Sequence, residues 1–245
     1  MAINLLYDNL IKRQFNIMKI KALFAIAALS VTIASCTKDY DNYTPQPISG
    51  LSIYQASPTT EKLDVYVGSN KANETDFALG NKIEYLNVYS GERQVTLRKK
   101  GTEPVLLTEK LTFEPQIGYS LFIADNLAAV KFLMLKDDLS KPATGKARVR
   151  FVNLSPDGGA LNLNIEGKDT DLFTNKLFKE YTSFEDIDAA DKVTFNVKNT
   201  AGGAIATKIQ DVKIESGKIY TVWVKGLKAT TDDTKIGVLV SEHKL

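Results

Sequence analysis

Residues 149–167 read VRFVNLSPDGGALNLNIEG: an apolar run, a Ser-Pro, an Asp-Gly-Gly, and then Leu161, Leu163 and Ile165 alternating with two asparagines. Alternation with period two puts every second side chain on one face, the mark of a strand buried on one side. Asp157-Gly158-Gly159 supplies turn chemistry, since glycine enters the left-handed region without steric cost. The stretch therefore reads as two strands joined by a turn.

The same plan stands 98 residues earlier, in LSIYQASPTTEKLDVYVG at 51–68. Leu51 and Ile53 correspond to Val149 and Phe151, Ser57-Pro58 to Ser155-Pro156, and Leu63, Val65, Val67 to Leu161, Leu163, Ile165. That offset carries Val95-Thr96-Leu97 onto Val193-Thr194-Phe195. Leu111, Phe113, Tyr119, Leu121 and Ile123 then match Val212, Ile214, Tyr220, Val222 and Val224 at an offset of 101. Three extra residues are expected in the glycine-rich turn NTAGGAIA, where loop physics tolerates insertion best. An offset held through several strands, with the Ser-Pro in step, implies an internal duplication.

Short alternating strands separated by turns, with no sustained helical period, predict an all-β chain of two tandem immunoglobulin-like β-sandwich domains. The boundaries expected are 51–140 and 146–245, joined by LSKPATGK. The stretch KLFKEYTSFEDIDAAD at 176–191 carries helix-forming residues, yet its repeat partner near GNKIEYLNVYSGE is β-branched and aromatic, so both are read as strand and loop.

In ARVRFVNLSPDGGALNLNIEG at 147–167 and VKIESGKIYTVWVKG at 212–226, the second repeat resembles the bacterial domain-of-unknown-function family 4397. The carrying motifs are Ala147-Arg148-Val149-Arg150, Ser155-Pro156 and Gly217-Lys218-Ile219-Tyr220-Thr221. The first repeat departs from it: GLSIY lacks the arginine pair, and IGYSLFI shortens the Gly-x-x-Tyr spacing to Gly118-Tyr119. The resemblance implies immunoglobulin-like sandwiches on secreted or lipid-anchored proteins and implies no activity.

Ahead of the repeats, Ala22 to Ala34 is uncharged, preceded by Lys19 and Lys21 and followed by Ser35-Cys36. At 13 residues it falls short of the roughly 20 a membrane span needs, and a basic, an apolar and a small-residue region in that order read as a secretory signal. Ile33-Ala34-Ser35-Cys36 resembles the lipobox of bacterial lipoproteins, which implies a signal peptide at 1–35, lipidation of Cys36 and a polar tether at 36–50. Since Cys36 is the sole cysteine, the lipoprotein reading also accounts for the lack of a disulfide partner; the alternative is a free thiol in an exported protein. Met18 is a second possible start. The Thr37-Lys38-Asp39-Tyr40-Asp41 that follows resembles the export signals of surface lipoproteins in Bacteroidetes, which implies an outer-membrane, lipid-anchored protein at the cell surface, the alternative being the periplasmic face.

Removing residues 1–35 leaves 27 basic and 28 acidic side chains, a formal charge of −1. Such a balance argues against nucleic acid, which demands a concentrated basic surface. His243 is the one histidine, two residues from the end, where fraying would disqualify a general base; triads and zinc sites with His or Cys ligands are excluded. Glu185, Asp186, Asp188 and Asp191, and Asp232-Asp233, offer oxygen ligands but lack the glycine and terminal glutamate of a calcium loop. No catalytic group, metal or cofactor is expected.

Binding has one foothold. If Tyr220, Val222 and Val224 face a core, Trp223 points the other way, as does its counterpart Phe122. Exposed aromatics there would be contact platforms for a protein or glycan partner; the alternative is that the neighbouring domain covers them. The resulting expectation is a non-catalytic surface binding or adhesion module, with a structural spacer or accessory subunit of an envelope complex as the second reading.

Overall fold

The computed structural model describes residues 45–244; Cys36, the signal segment and most of the tether lie outside them. Eight strands form the first half: β1 (Ile48–Gln55), β2 (Leu63–Val67), β3 (Asn70–Lys71), β4 (Lys82–Tyr89), β5 (Gly91–Lys99), β6 (Val105–Phe113), β7 (Gly118–Ala124) and β8 (Lys131–Asp137). Eight more repeat the plan: β9 (Lys146–Asn153), β10 (Leu161–Ile165), β11 (Phe173–Lys176), β12 (Glu185–Asp188), β13 (Ala190–Asn199), β14 (Ile205–Ile214), β15 (Ile219–Lys225) and β16 (Gly237–Glu242). One turn of 3-10 helix, Leu127–Ala129, is the only helical element among the described residues.

Each half is a β-sandwich of two four-stranded sheets. In the first, β4-β1-β7-β8 faces β3-β2-β5-β6; in the second, β12-β9-β15-β16 faces β11-β10-β13-β14. Adding eight to each strand number of the first half gives the second. The first strand of each copy runs parallel to the seventh, β1 to β7 and β9 to β15. The sandwich is as expected, but its strand order is its own: the immunoglobulin constant plan keeps its first two strands together in the ABED sheet, opposite CFG, whereas here the first and second strands lie in opposite sheets.

The duplication can be followed to single atoms. Leu51 pairs with Tyr119 and Val149 with Tyr220, so the offsets of 98 and 101 hold at the centre of each sandwich. Tyr119 Oη accepts from Glu114 N at 3.0 Å and Tyr220 Oη from Glu215 N at 3.1 Å, the same tie five residues upstream in both copies. The Ser-Pro turns share a second device: Gln55 Oε1 accepts from Ser57 N at 2.9 Å and Asn153 Oδ1 from Ser155 N at 3.1 Å.

The three extra residues are not where the sequence placed them. Lys99 and Val105 flank the first hairpin loop, Asn199 and Ile205 the second, so the two loops are equally long. One residue enters before β12, since Tyr89 pairs with Ile48 while Asp188 pairs with Lys146. Another enters β13 as a register shift between Ala190 and Val193, and the third enters β14 opposite Val193 and Phe195, where Asp211 takes a positive φ of 54°. A β-bulge absorbs one residue without disturbing the rest of the ladder. In consequence the true partner of Val95-Thr96-Leu97 is Phe195-Asn196-Val197: Val67 pairs with Val95 and its equivalent Ile165 with Phe195.

A second misregister concerns glycine. Gly217, at φ +81°, matches Gln116, at φ +62°; their backbone amides donate to Lys146 O and Ile48 O. The left-handed turn is thus kept in the first copy by a glutamine. Gly118 has a separate reason to be glycine, because a Cβ there would lie 2.7 Å from Leu139 Cδ1.

Three apolar layers result. Leu51, Ile53, Leu63, Val95, Leu97 and Leu121 fill the first sandwich; Val149, Phe151, Leu163, Phe195, Val197 and Val222 fill the second. Between the sandwiches lies a third cluster, Tyr54, Ala56, Phe122, Ala124, Leu135, Val152, Leu154 and Trp223. Sheets β4-β1-β7-β8 and β12-β9-β15-β16 therefore bury both faces, and residues 46–245 form one compact unit.

Candidate functional site

The joint is where the sequence's candidate contact residues come together. Phe122 and Trp223 are each 0 % exposed. Tyr54 stacks on Phe122 with ring centroids 4.4 Å apart and meets Trp223 edge-on at 5.7 Å. The indole nitrogen donates to Ser241 Oγ at 3.1 Å. Strand alternation did turn both aromatics away from their own cores, but the sheet of the other sandwich covers them, which corrects the expectation of exposed platforms.

Beside this apolar patch lies a buried polar circuit with members from both sandwiches. Arg150 of β9 places Nη2 2.7 Å from Asp137 Oδ1 of β8, with the two side chains 2 % and 0 % exposed. Nη2 also donates to Ser120 Oγ at 2.7 Å, and Nε donates to Thr221 Oγ1 at 2.9 Å. Ser120 Oγ donates in turn to Asp137 at 3.0 Å. Tyr85 Oη donates to Asp137 Oδ2 at 2.5 Å. The Arg150 guanidinium also stacks over Phe184, with Cζ 4.8 Å from the ring centroid.

His243 closes the circuit. Its ring touches Tyr85 Oη through Nδ1 and Thr221 Oγ1 through Nε2, both at 2.7 Å. The tyrosine's proton is committed to Asp137, so Nδ1 must carry the imidazole proton and donate to Tyr85. Nε2 then accepts from Thr221, whose oxygen accepts from Arg150. Every proton is accounted for with a neutral histidine. Burial, then the charges of Arg150 and Lys82, push its pKa down to about 2. Burial and the adjacent Asp137 carboxylate raise the Tyr85 phenol far above its usual range.

The chain is held in the sheet through His243, contrary to the expectation of a fraying end. β16 pairs with β15 from Gly237 to Glu242, and His243 N donates to Ile219 O at 2.8 Å. The histidine is still no general base, because its one free lone pair is used and it is buried. The Tyr54 hydroxyl, also buried, has no partner in hydrogen-bond geometry, although the Ser52 and Ser120 hydroxyls lie close by; burial raises its pKa to about 12. Arg148 reinforces the joint from outside, donating to Asp138 Oδ2 at 2.7 Å and to Ser140 Oγ at 2.6 Å, and it holds the Asp138 carboxyl well below the usual range.

The acidic stretches play surface roles. Asp188 pairs with Lys146 at 2.6 Å and Asp186 lies 3.9 Å from Arg148, while Asp232 Oδ1 accepts from Thr234 N at 2.9 Å. Among the described residues no group of three or more His, Cys, Asp or Glu is placed to hold a metal ion. Two open clefts occupy equivalent places between the sheet edges, about 520 Å³ by Asn70, Asn87 and Tyr89 and about 530 Å³ by Lys168, Asp171 and Asp188. They differ in chemistry, the first flanked by an aromatic ring and the second by carboxylates.

Residues 49–164 match the family described as a domain of unknown function, DUF4397. The match spans β1 to β10, covering the first copy and the opening of the second, whereas the sequence motifs had pointed to the second copy. No curated protein matches the chain. Among solved structures, an α-glucan-binding streptococcal virulence factor is similar at 12 % identity over 77 % of this chain and 96 % of that one, with a TM-score of 0.25. The fimbrial anchor protein Mfa2 from Porphyromonas gingivalis is similar at 8 % identity over 81 % and 98 %, with a TM-score of 0.26. A family 26 carbohydrate-binding module of Eubacterium rectale Amy13K, in complex with maltoheptaose, gives 11 % identity over 81 % and 97 %, with a TM-score of 0.25. At such scores none of them carries a ligand or partner over to this chain.

Proposed function

We propose that the chain is a cell-envelope lipoprotein, tethered through Cys36 to the outer membrane, that works as a non-catalytic binding or adhesion module at the cell surface. The observation that supports it best is the joint. Its ionisable groups, the only buried cluster of that kind described, are spent on holding two sandwiches together, so the molecule's working surface is its exterior. What that exterior offers a partner is sheet edge and rim. β6 is a nine-residue edge strand with Val105 exposed, and edge strands bind extended peptides through main-chain hydrogen bonds.

The second reading, a spacer or accessory subunit of an envelope complex, is favoured by the same joint, since two sandwiches with a common buried core hold a fixed separation. Capture of partners by the lipidated full chain from detergent-solubilised envelopes distinguishes the two. One stoichiometric protein partner supports the accessory role. Retention of a glycan or a peptide by the purified chain, with no stoichiometric subunit, supports direct binding, and hydrolysis of any captured ligand would overturn both.

A further inference from the structure

The duplication provides an internal control for surface residues. Ile48 and Tyr89 face each other across the β1–β4 pair and are 44 % and 59 % exposed. At the same place in the second copy stand Lys146 and Asp188, joined as an ion pair at 2.6 Å. The fold therefore accepts a solvated pair at this position, and the first copy instead keeps a β-branched residue and an aromatic in contact with water. Nothing in the sandwich core requires this, because neither belongs to the first copy's buried cluster.

The position of the pair says what covers it. Ser90 N donates to Pro47 O at 2.9 Å, so the chain enters the first sandwich at Pro47, directly beside Tyr89. Pro45 and Pro47 are exposed there as well. Arg93 is fixed at the same rim, with Nε donating to Tyr89 O at 2.9 Å and Nη2 to Ser90 O at 2.8 Å. The roughly 11 residues from Cys36 to Pro47 span at most about 40 Å even when fully extended, so a lipid on Cys36 keeps this end of the first sandwich near the bilayer. Tyrosine beside an aliphatic side chain and a guanidinium matches the headgroup boundary, where amphipathic rings settle and arginine meets phosphate.

We infer that Ile48, Tyr89 and Arg93 form a membrane-apposed face that seats the first sandwich on the phospholipid headgroup region. This rests on the lipoprotein reading of Cys36. It gives the molecule an orientation, with the second sandwich's ionic pair, Lys146 and Asp188, left in water.

The test uses the full lipidated chain in phosphatidylethanolamine–phosphatidylglycerol vesicles containing acyl-brominated lipid. Tyr89→Trp and Asp188→Trp variants are compared after subtracting the signal of buried Trp223. A side chain seated about 5–10 Å into the headgroup boundary is quenched, so Tyr89→Trp emission should shift to the blue and fall at least about twofold more than that of Asp188→Trp. Adding Ile48→Lys should abolish the difference without releasing the protein from vesicles. Equal, weak quenching of both variants on a chain whose Cys36 carries diacylglycerol by mass spectrometry overturns the face and leaves the anchor standing. A chain whose Cys36 carries no lipid overturns the anchor, and the face with it.

Discussion

Arg150 of the second sandwich donates to Asp137 of the first across 2.7 Å, with both side chains withdrawn from solvent. Removing one member strands a buried charge, which typically costs about 3–5 kcal/mol. Arg150→Met should therefore destabilise the chain by that amount in urea unfolding, and Asp137→Asn by less, because Ser120, Tyr85 and Arg150 can still be partly satisfied. The combined Arg150→Met, Asp137→Leu variant should recover much of the loss. A purely additive double variant would mean that the pair is not energetically coupled.

His243 makes the joint sensitive to acid in a defined window. Its folded pKa is depressed to about 2 from the ordinary 6.5 of a solvated imidazole, so the unfolded chain binds a proton that the folded one refuses. The stabilisation is complete above about pH 6.5 and declines as pH falls toward 2, at about 1.4 kcal/mol per unit. Between pH 7 and pH 5 the wild type should lose roughly 2 kcal/mol by this linkage. Asp138, held low by Arg148, contributes little there, because an aspartate in the unfolded chain, with a pKa of about 4, is also ionised across this window. His243→Gln, measured by urea unfolding at both pH values, should be less stable at pH 7 and nearly flat between them. An unchanged slope would remove His243 from the account.

The central strands and the duplication were legible because alternation and the Ser-Pro turn are local signals. What covered Trp223 was not. Period two tells which residues leave one core, but a second buried face looks the same as a solvated one when it is built from Tyr54, Phe122, Val152 and Trp223 set among serines and threonines. Arg150 and Asp137 gave no clue either, since each is an ordinary charged residue until the fold brings them together. Bulges escaped notice for a related reason: one extra residue in β14 hides in a run that still alternates, and only the φ of Asp211 and the shifted partners of Phe195 expose it. His243 was misplaced because position in the chain was taken for position in the fold.

Trp223 should behave as a core residue. Replacing a fully buried aromatic by alanine costs about 3–5 kcal/mol through lost transfer energy and the cavity left behind. Trp223→Ala is thus expected to lower the urea midpoint sharply, whereas Tyr89→Ala, at an exposed site, should stay within about 0.5 kcal/mol of wild type. Since Trp223 is the one tryptophan, its emission reports the joint directly. It should be blue-shifted in the native state and move red as the sandwiches separate.

The paired turns at Gln116 and Gly217 allow the cost of a left-handed residue to be measured twice in one molecule. Both backbones sit at positive φ, 62° and 81°, and both amides close the same bond to the first residue of the copy's opening strand. A side chain in this region costs about 1–2 kcal/mol, while glycine gives back part of that through unfolded-state entropy. Gly217→Gln should destabilise by about 1 kcal/mol, and Gln116→Gly should stabilise by less than about 1 kcal/mol. Opposite signs in chemical denaturation would show that the first copy carries backbone strain which the second relieves. A loss of stability in Gln116→Gly would mean instead that the glutamine's own contacts outweigh its strain, and that the two turns are equivalent in shape but not in energy.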